Sequence, residues 1–115
     1  MVAVIFEALP KKENREVYLD MAAGLKPELS KIKGFISIER FQGISNPDKI
    51  LSLSLWKDED SIRQWRKSEL HRQAQTDGRK SIFEDYKLRV ATIIREYGMT
   101  ERHQAPEDSK LFHTK

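Results

Sequence analysis

The apolar residues of this chain recur with two periods, and each period predicts a different element. Short runs rich in β-branched and aromatic residues, with side chains alternating between two faces, predict four strands. Apolar residues spaced three and four apart predict two helices. The predicted strands are residues 2–8, 35–42, 50–56 and 82–97, and the predicted helices are residues 13–23 and 59–77, with a short helical turn at 27–32.

Glycine, proline and aspartate mark the ends of these elements. Gly24 and Pro27 interrupt the first helical pattern, and we expect a break or a kink near Gly24 to Lys26, because proline removes a helix hydrogen bond and clashes with the preceding turn. Gly34 is a suitable end for the short turn that follows. Asp58 is a suitable N-cap for the second helix, and Gly78 fits the position just after its end.

The order strand, helix, strand, strand, helix, strand predicts the fold class. It is the α+β, ferredoxin-like split βαβ pattern, with a four-stranded antiparallel sheet and both helices on one face. The last predicted strand is longer than usual, so we expect it to bulge or to extend past the sheet. Residues 1–97 form the predicted domain, and residues 98–115 form a polar tail that is either mobile or laid on a partner.

Both faces of the predicted strands carry apolar residues. They are Phe35 and Phe41 against Ile36 and Ile38 in the second strand, and Phe83 and Ile93 against Val90 and Ile94 in the fourth. In the third strand, Leu51, Leu53 and Leu55 form one apolar face. The leucine stripe is predicted to be core. A sheet that is apolar on both sides needs two covers, and the helices supply only one. We therefore expect a two-fold homodimer in which sheet packs on sheet.

Composition and charge limit the classes of function. The 115 residues are 38% hydrophobic and 34% charged, which is typical of one globular domain. No apolar run reaches the roughly 20 residues of a membrane helix, and no signal-peptide pattern is present, so a cytoplasmic protein is expected. The absence of cysteine excludes thiolate catalysis. The net charge of +3 is spread along the chain, which argues against nucleic-acid binding.

Candidate chemistry concentrates around the second helix and the strand after it. The candidates are Trp65, His71, Gln75, Arg79, Tyr86 and Trp56. His71 is either a partly exposed helix residue or a general base and phenolate partner, because its intrinsic pKa is near neutral. Trp65 and Tyr86 are either core residues or pocket walls, and Arg79 is solvated, paired or anion-binding. No second metal ligand stands three or four residues from His71, so no metal site is predicted.

Several motifs resemble the antibiotic biosynthesis monooxygenase (ABM) family over residues 2–97. They are KIKGF before the second strand, LSLW-KDEDSIRQW leading into the second helix, and the H-x3-Q…GR…FEDY run after it. Members are typically dimeric α+β barrels, of which some oxidise polycyclic aromatic phenols with O₂ and no cofactor, and others degrade haem. The resemblance implies catalytic roles for Trp65 and His71, and substrate contacts for Gln75, Arg79 and Tyr86. Trp56 is a further candidate for substrate contact.

The haem-degrading branch of the family needs an asparagine in the first strand, a tryptophan in the second helix and a histidine ten residues later. Trp65 matches the tryptophan, but the later position holds Gln75 and the first-strand position holds Glu7. Haem is therefore not expected as a cofactor. The leading hypothesis is a cofactor-independent monooxygenase with O₂ as co-substrate, acting on a small electron-rich aromatic or quinol-type compound. The alternatives are a non-catalytic dimer that binds a small aromatic or hydrophobic ligand, or a haem-binding protein.

Overall fold

The computed structural model describes the backbone of residues 1–75 and 82–113, and the side chains of residues 1–67 and 82–110. The elements follow the predicted order. The strands are β1 (Val2–Pro10), β2 (Phe35–Gln42), β3 (Ile50–Trp56) and β4 (Phe83–Thr92), and the helices are α1 (Arg15–Leu29), α2 (Glu59–Gln75) and α3 (Glu107–His113), with a 3₁₀ turn at Lys12–Asn14. Strands β2 and β3 have their predicted bounds. None of the described helices is long and apolar enough to cross a membrane.

The four strands form one antiparallel sheet in the order β2-β3-β1-β4. This order places β1 and β3 at the centre and confirms the ferredoxin-like class. Helices α1 and α2 pack on one face, where Leu29 and Ile62 join Val2, Val4 and Trp56 in a buried cluster. The opposite face of the sheet has no cover within the described part of the single chain.

Of the break or kink predicted near Gly24, the break is wrong, because α1 is continuous from Arg15 to Leu29 with Pro27 inside it, while the kink stays a prediction. Pro27 lies in the last turn, so it removes one backbone hydrogen bond, the one that its N–H would donate to the Ala23 carbonyl, and only two helical residues follow it. Leu25 and Leu29 both pack against the core below the helix, and Leu29 is only 1% exposed. Burial of these leucines outweighs the local preference of glycine and proline for a break.

Strand β4 is shorter than the predicted 82–97. Its pairing partner is β1, and the register ends where Val2 pairs with Thr92. One further backbone hydrogen bond follows, from the Ile93 N–H to the Met1 carbonyl. The length of β4 is therefore limited by the length of β1. The last strand was expected to bulge or to extend past the sheet, and the β1–β4 pair contains a register shift between Leu9 and Pro10.

The prediction that the leucine stripe of β3 is core is wrong for the single chain. Leu51, Leu53 and Leu55 are only partly buried, whereas Ser52 and Ser54 between them are buried on the helix side. Pairing places the leucines beside Ala3, Ile5 and Glu7 of β1 and beside Ser37, Glu39 and Phe41 of β2. We call this uncovered surface the outer face. Hydrophobic alternation identified two faces, but it could not tell which one meets the helices.

The predicted tail contains a short helix and its own local contacts. The Arg102 guanidinium donates hydrogen bonds to the carbonyls of Gly98 and Ser109 and lies 5.5 Å from the centre of the Tyr97 ring. Ala105 is buried. The radius of gyration is 17.1 Å, against about 13 Å for a compact chain of this length. The molecule is therefore elongated, and the boundary of the tail at residue 98 stays a prediction.

Gly34 forms the turn that joins α1 to β2. Its φ of 96° lies in the left-handed region, which residues with a Cβ rarely adopt. A Cβ there would overlap the Ser61 hydroxyl and lie 2.9 Å from the Ser61 Cβ. The Asp58 carboxylate accepts hydrogen bonds from the Ser61 backbone N–H and hydroxyl, at 3.0 and 2.8 Å, which fixes Ser61 at the start of α2. These hydrogen bonds also lower the pKa of Asp58.

We expect Gly34→Ala to destabilise the protein by on the order of 2 kcal/mol or more, because it adds both backbone strain and a clash with Ser61. Gly24→Ala is the matched control. Gly24 lies inside α1 with nothing within 4 Å of an added Cβ, so its replacement should stabilise by about 0.5–1 kcal/mol. Denaturant unfolding measures both changes. Equal effects of the two substitutions would contradict this account of the turn.

Candidate functional site

A cavity lies between the sheet and helices α1 and α2. Its volume is about 170 Å³, slightly more than the roughly 150 Å³ that accommodates a benzene ring in a protein core. Most of the lining is apolar. The sheet contributes Val4, Phe6, Ile38, Arg40, Ser52, Ser54, Trp56, Phe83 and Leu88; α1 contributes Tyr18, Met21, Ala22, Leu25 and Leu29; Trp65 of α2 and Ile82 complete it.

Two serines of β3 explain why space remains under the helices. Ser52 and Ser54 face α1 and α2 and are 7% and 6% exposed. Serine is much smaller than leucine, so these positions do not fill the layer between sheet and helices. Ser54 also accepts a hydrogen bond of 2.9 Å from the Trp56 indole nitrogen, which holds the buried indole in one orientation.

Aromatic rings surround one end of the cavity. The Phe83 ring centre lies 5.8 Å from that of Phe6 and 5.3 Å from that of Tyr18, both in edge-to-face geometry. Tyr86 lies 5.6 Å from both Phe6 and Phe83. At the other end, the rings of Phe35 and Trp56 are 5.3 Å apart. These contacts make a stiff wall that suits a flat, apolar ligand.

The cavity also contains a polar pair, a neutral tyrosine beside an arginine. Tyr18 on α1 is 7% exposed, and Arg40 lines the cavity from β2. Burial raises the pKa of the Tyr18 hydroxyl, while the charge of Arg40 and a hydrogen bond from its guanidinium partly oppose that rise. The Arg40 Nε–H is buried, and none of the described residues accepts a hydrogen bond from it. Arg40 is therefore a cation whose hydrogen bonds are incompletely satisfied among these residues.

The structure brings two of the six predicted site residues into the cavity, Trp56 and Trp65. Tyr86 is not among the lining residues; it is 60% exposed, and its ring contacts Phe6 and Phe83, which do line the cavity. His71 and Gln75 lie on α2, but their side chains are outside the described residues. Arg79 is outside the described residues altogether. The roles predicted for all six stay predictions.

Four polar residues of the cavity were not predicted from the sequence: Tyr18, Arg40, Ser52 and Ser54. For Arg40 and the two serines, the strand pattern contained a signal. Arg40 shares a strand face with Ile38, and the two serines alternate with leucines in β3. A polar residue repeated on one face of an otherwise apolar strand indicates either solvent or a polar site. Only the topology shows that this face meets the helices.

Glu7, which occupies the position of the haem-binding asparagine in the resemblance, lies on the outer face. Its carboxylate pairs with Arg89 at 3.0 Å and with Lys49 at 3.8 Å. Its neighbours in the register, Leu51 and Lys87, lie on the same face. Glu7 is therefore separated from the cavity by the sheet. Among the described residues, no cluster of three His, Asp or Glu side chains is placed to hold a metal ion.

We expect Tyr18 to ionise above its ordinary pKa of 10.0, and Arg40→Met to raise that pKa further, because the substitution removes the charge that opposes the shift. The tyrosinate absorbance of the protein minus that of Tyr18→Phe isolates this group. The folded-state pKa exceeds the unfolded one, so stability should fall as pH rises above about 10, and Tyr18→Phe should remove this part of the loss.

Arg63→Met is the control for the Tyr18 titration, because Arg63 is an exposed arginine of α2 paired with Asp60. It should leave the Tyr18 pKa unchanged. A Tyr18 pKa at or below its ordinary value, or one that Arg40→Met does not move, would show that the pair is not arranged as described.

Comparison with known proteins relates this chain to oxygenases. Jasmonate monooxygenase ABM of Pyricularia oryzae is 46% identical over 93 residues, which cover 81% of this chain and 43% of that protein. The chain thus spans less than half the length of this relative. The model of the antibiotic biosynthesis monooxygenase family matches residues 1–77.

Solved structures with little sequence identity share the fold. Rv0793 from Mycobacterium tuberculosis has a TM-score of 0.72 at 15% identity, over 84% of this chain and 98% of that one. The heme-degrader MhuD (Rv3592) from the same organism, solved with two hemes in its active site, has a TM-score of 0.68 at 10% identity, over 85% of this chain and 100% of that one. At these identities the likeness concerns the fold alone. The family match, the 46% identical relative and the shared fold agree, and this chain belongs to the antibiotic biosynthesis monooxygenase family.

Proposed function

We propose that this protein is a monooxygenase that uses O₂, without a resident cofactor, to oxidise a small electron-rich aromatic or quinol-type substrate. The observation that carries the proposal is an apolar, aromatic-lined cavity of about 170 Å³ in a chain 46% identical to a jasmonate monooxygenase. Monooxygenases of this family generally need no cofactor. The cavity volume favours a single ring, or one ring of a larger substrate that extends through the mouth.

Without a cofactor, the substrate must supply the electrons that reduce O₂. Loss of a proton gives a phenolate or enolate whose carbon is electron-rich enough to donate them. When the reacting carbon is a methylene, one oxygen atom becomes its carbonyl oxygen and the other leaves as water with the two hydrogens. The protein would hold the anion, orient the carbon and exclude bulk water.

Each predicted site residue has a role in this proposal. Trp65 and Trp56 line the cavity and would hold the ring between apolar surfaces. His71 follows Trp65 by six residues on α2 and would take the substrate proton. The remaining substrate contacts would come from Gln75, Arg79 and Tyr86.

One observation favours a second candidate, a binding protein without turnover. The described lining of the cavity contains no histidine or carboxylate. Its polar side chains are Tyr18, Arg40, Ser52 and Ser54, and burial raises the pKa of the Tyr18 hydroxyl, which makes it a poorer base near neutral pH. If His71 does not reach the substrate, the described residues offer binding without an obvious base. Turnover and binding must therefore be measured separately.

The first experiment is O₂ uptake by the purified protein with a panel of anthrone-type methylene compounds, hydroquinones and jasmonate. We expect uptake with at least one compound, and mass spectrometry under ¹⁸O₂ should show one labelled oxygen in the product. Trp65→Ala and His71→Ala should each reduce the rate by on the order of 10²-fold or more, because they remove ring positioning and the base.

Matched controls for these two variants lie outside the cavity. Tyr97→Ala removes an aromatic ring that contacts Arg102 in the tail, and His103→Ala removes an exposed histidine beside Glu101. Both should keep the full rate. Tight binding of a panel compound without O₂ uptake would favour the binding protein. Unchanged uptake in both Trp65→Ala and His71→Ala would contradict the assignment of the site.

The proposed assembly is a homodimer in which two outer faces pack together. Proteins of this family typically form dimers and bind small ligands. Leu51, Leu53 and Leu55 with Phe41 give the outer face the apolar surface that such an interface needs, and charged residues flank it. The cytoplasmic location and the absence of a nucleic-acid partner stay predictions from the sequence.

We expect light scattering to give twice the chain mass of 13.5 kDa. Leu53→Lys should shift the protein toward the monomer, because it buries a charge at the centre of the interface. Ile44→Lys is the control, since Ile44 is 98% exposed in the loop between β2 and β3. A monomeric parent protein, or a dimer that Leu53→Lys leaves intact, would contradict sheet-on-sheet packing.

A further inference from the structure

Arg40 has no assigned part in the oxygenation chemistry, yet it is a charged residue in an apolar cavity. It lies on the helix-facing side of β2, two residues after Ile38, and pairs with Ser52 of β3 in the sheet register. Burying a cation away from water is costly unless acceptors replace the lost hydration. Arg40 as a whole is only partly buried, but its Nε atom is buried, and this donor needs an acceptor from the protein or from a ligand.

The described residues supply only part of what the guanidinium needs. Arginine has five N–H donors and no acceptor. The Tyr18 hydroxyl interacts with it, but the Nε–H is buried without a described acceptor. None of the ion pairs among the described residues includes Arg40. By contrast, Arg89 on the outer face has its carboxylate partner at 3.0 Å.

We propose that Arg40, with the hydroxyls of Tyr18 and Ser52, binds the carboxylate of a small acid whose apolar ring occupies the cavity beside Trp56 and Trp65. This deepens the proposed function by naming the substrate class as an acid. The identification of this acid as a substrate rests on the proposed function, but the acid can bind whether or not it is oxygenated.

A carboxylate fits this site better than other anions do. Its two oxygens match the fork of a guanidinium, so one carboxylate can accept from Nε–H and from a terminal N–H together. A phenolate has one oxygen and would leave more of the donors unpaired. A phosphate dianion carries two charges, whereas the described lining offers one cation. The surrounding hydroxyls of Tyr18 and Ser52 can donate to the same anion.

The two tryptophans of the chain give a direct measure of occupancy. Trp56 and Trp65 are the only tryptophans in the sequence, and both line the cavity. A ligand bound there should therefore change the intrinsic fluorescence. Benzoate and benzamide are suitable probes, because they have nearly the same size and shape but differ in charge. Neither is an electron-rich phenol or quinol, so binding is tested apart from turnover.

The experiment compares benzoate and benzamide affinities in the parent protein and in three variants by fluorescence titration. We expect benzoate to bind at least about tenfold more tightly than benzamide, as charged hydrogen bonds exceed neutral ones. Arg40→Met should remove this preference while leaving benzamide affinity within about twofold. Arg40→Lys should restore part of the preference, because the charge returns without the bidentate geometry. Arg63→Met, which removes an exposed arginine, should keep the full preference for benzoate over benzamide.

Equal binding of benzoate and benzamide by the parent protein would overturn the proposal, and this result needs no variant to fold. A preference for benzoate that survives in Arg40→Met would also overturn it, as would tighter binding of phenol than of benzoate. Failure of the O₂-uptake experiment alone, with the benzoate preference intact, would contradict the oxygenase and leave the acid site standing.

Discussion

The structure depends on how β3 divides its side chains between two faces. Leucines point away from the helices and serines point toward them. Because serine side chains do not fill the space between sheet and helices, a cavity remains beneath α1 and α2 where larger side chains would have packed. The same strand leaves an apolar stripe on the outer face. One alternation therefore produces both the ligand site and the surface through which we propose the chain dimerises.

The polar groups of the cavity explain how an apolar space can select its ligand. Hydrophobic and aromatic walls provide affinity for a ring, but they distinguish poorly between rings of similar size. A cation held by Tyr18 and lacking further described acceptors discriminates strongly, because a neutral ligand leaves it unsatisfied. Arg40 is partly buried and keeps one buried donor, Nε–H, without a described acceptor, and we propose that a bound carboxylate supplies that acceptor.

Local sequence patterns predicted the order and type of the elements. Tertiary contacts determined the continuity of α1 and the set of residues that line the cavity. β2 and β3 have their predicted bounds because turn-forming residues flank both runs. The continuous α1 was missed because burial of Leu29 is a tertiary effect. Trp65 was identified from its motif. Arg40 and Tyr18 were missed because they come from different elements, and only the folded topology places them together.

The central claim is that an acidic ligand binds in the cavity between the sheet and the helices, and that the outer face has no part in ligand binding. The measurement that tests it most directly is a crystal structure of the protein soaked with an aromatic carboxylate. The predicted result is ring density between Trp56 and Trp65, with the carboxylate oxygens about 3 Å from the Arg40 guanidinium nitrogens. Density for the acid on the outer face, or a cavity in which Arg40 turns away from the bound acid, would contradict the account.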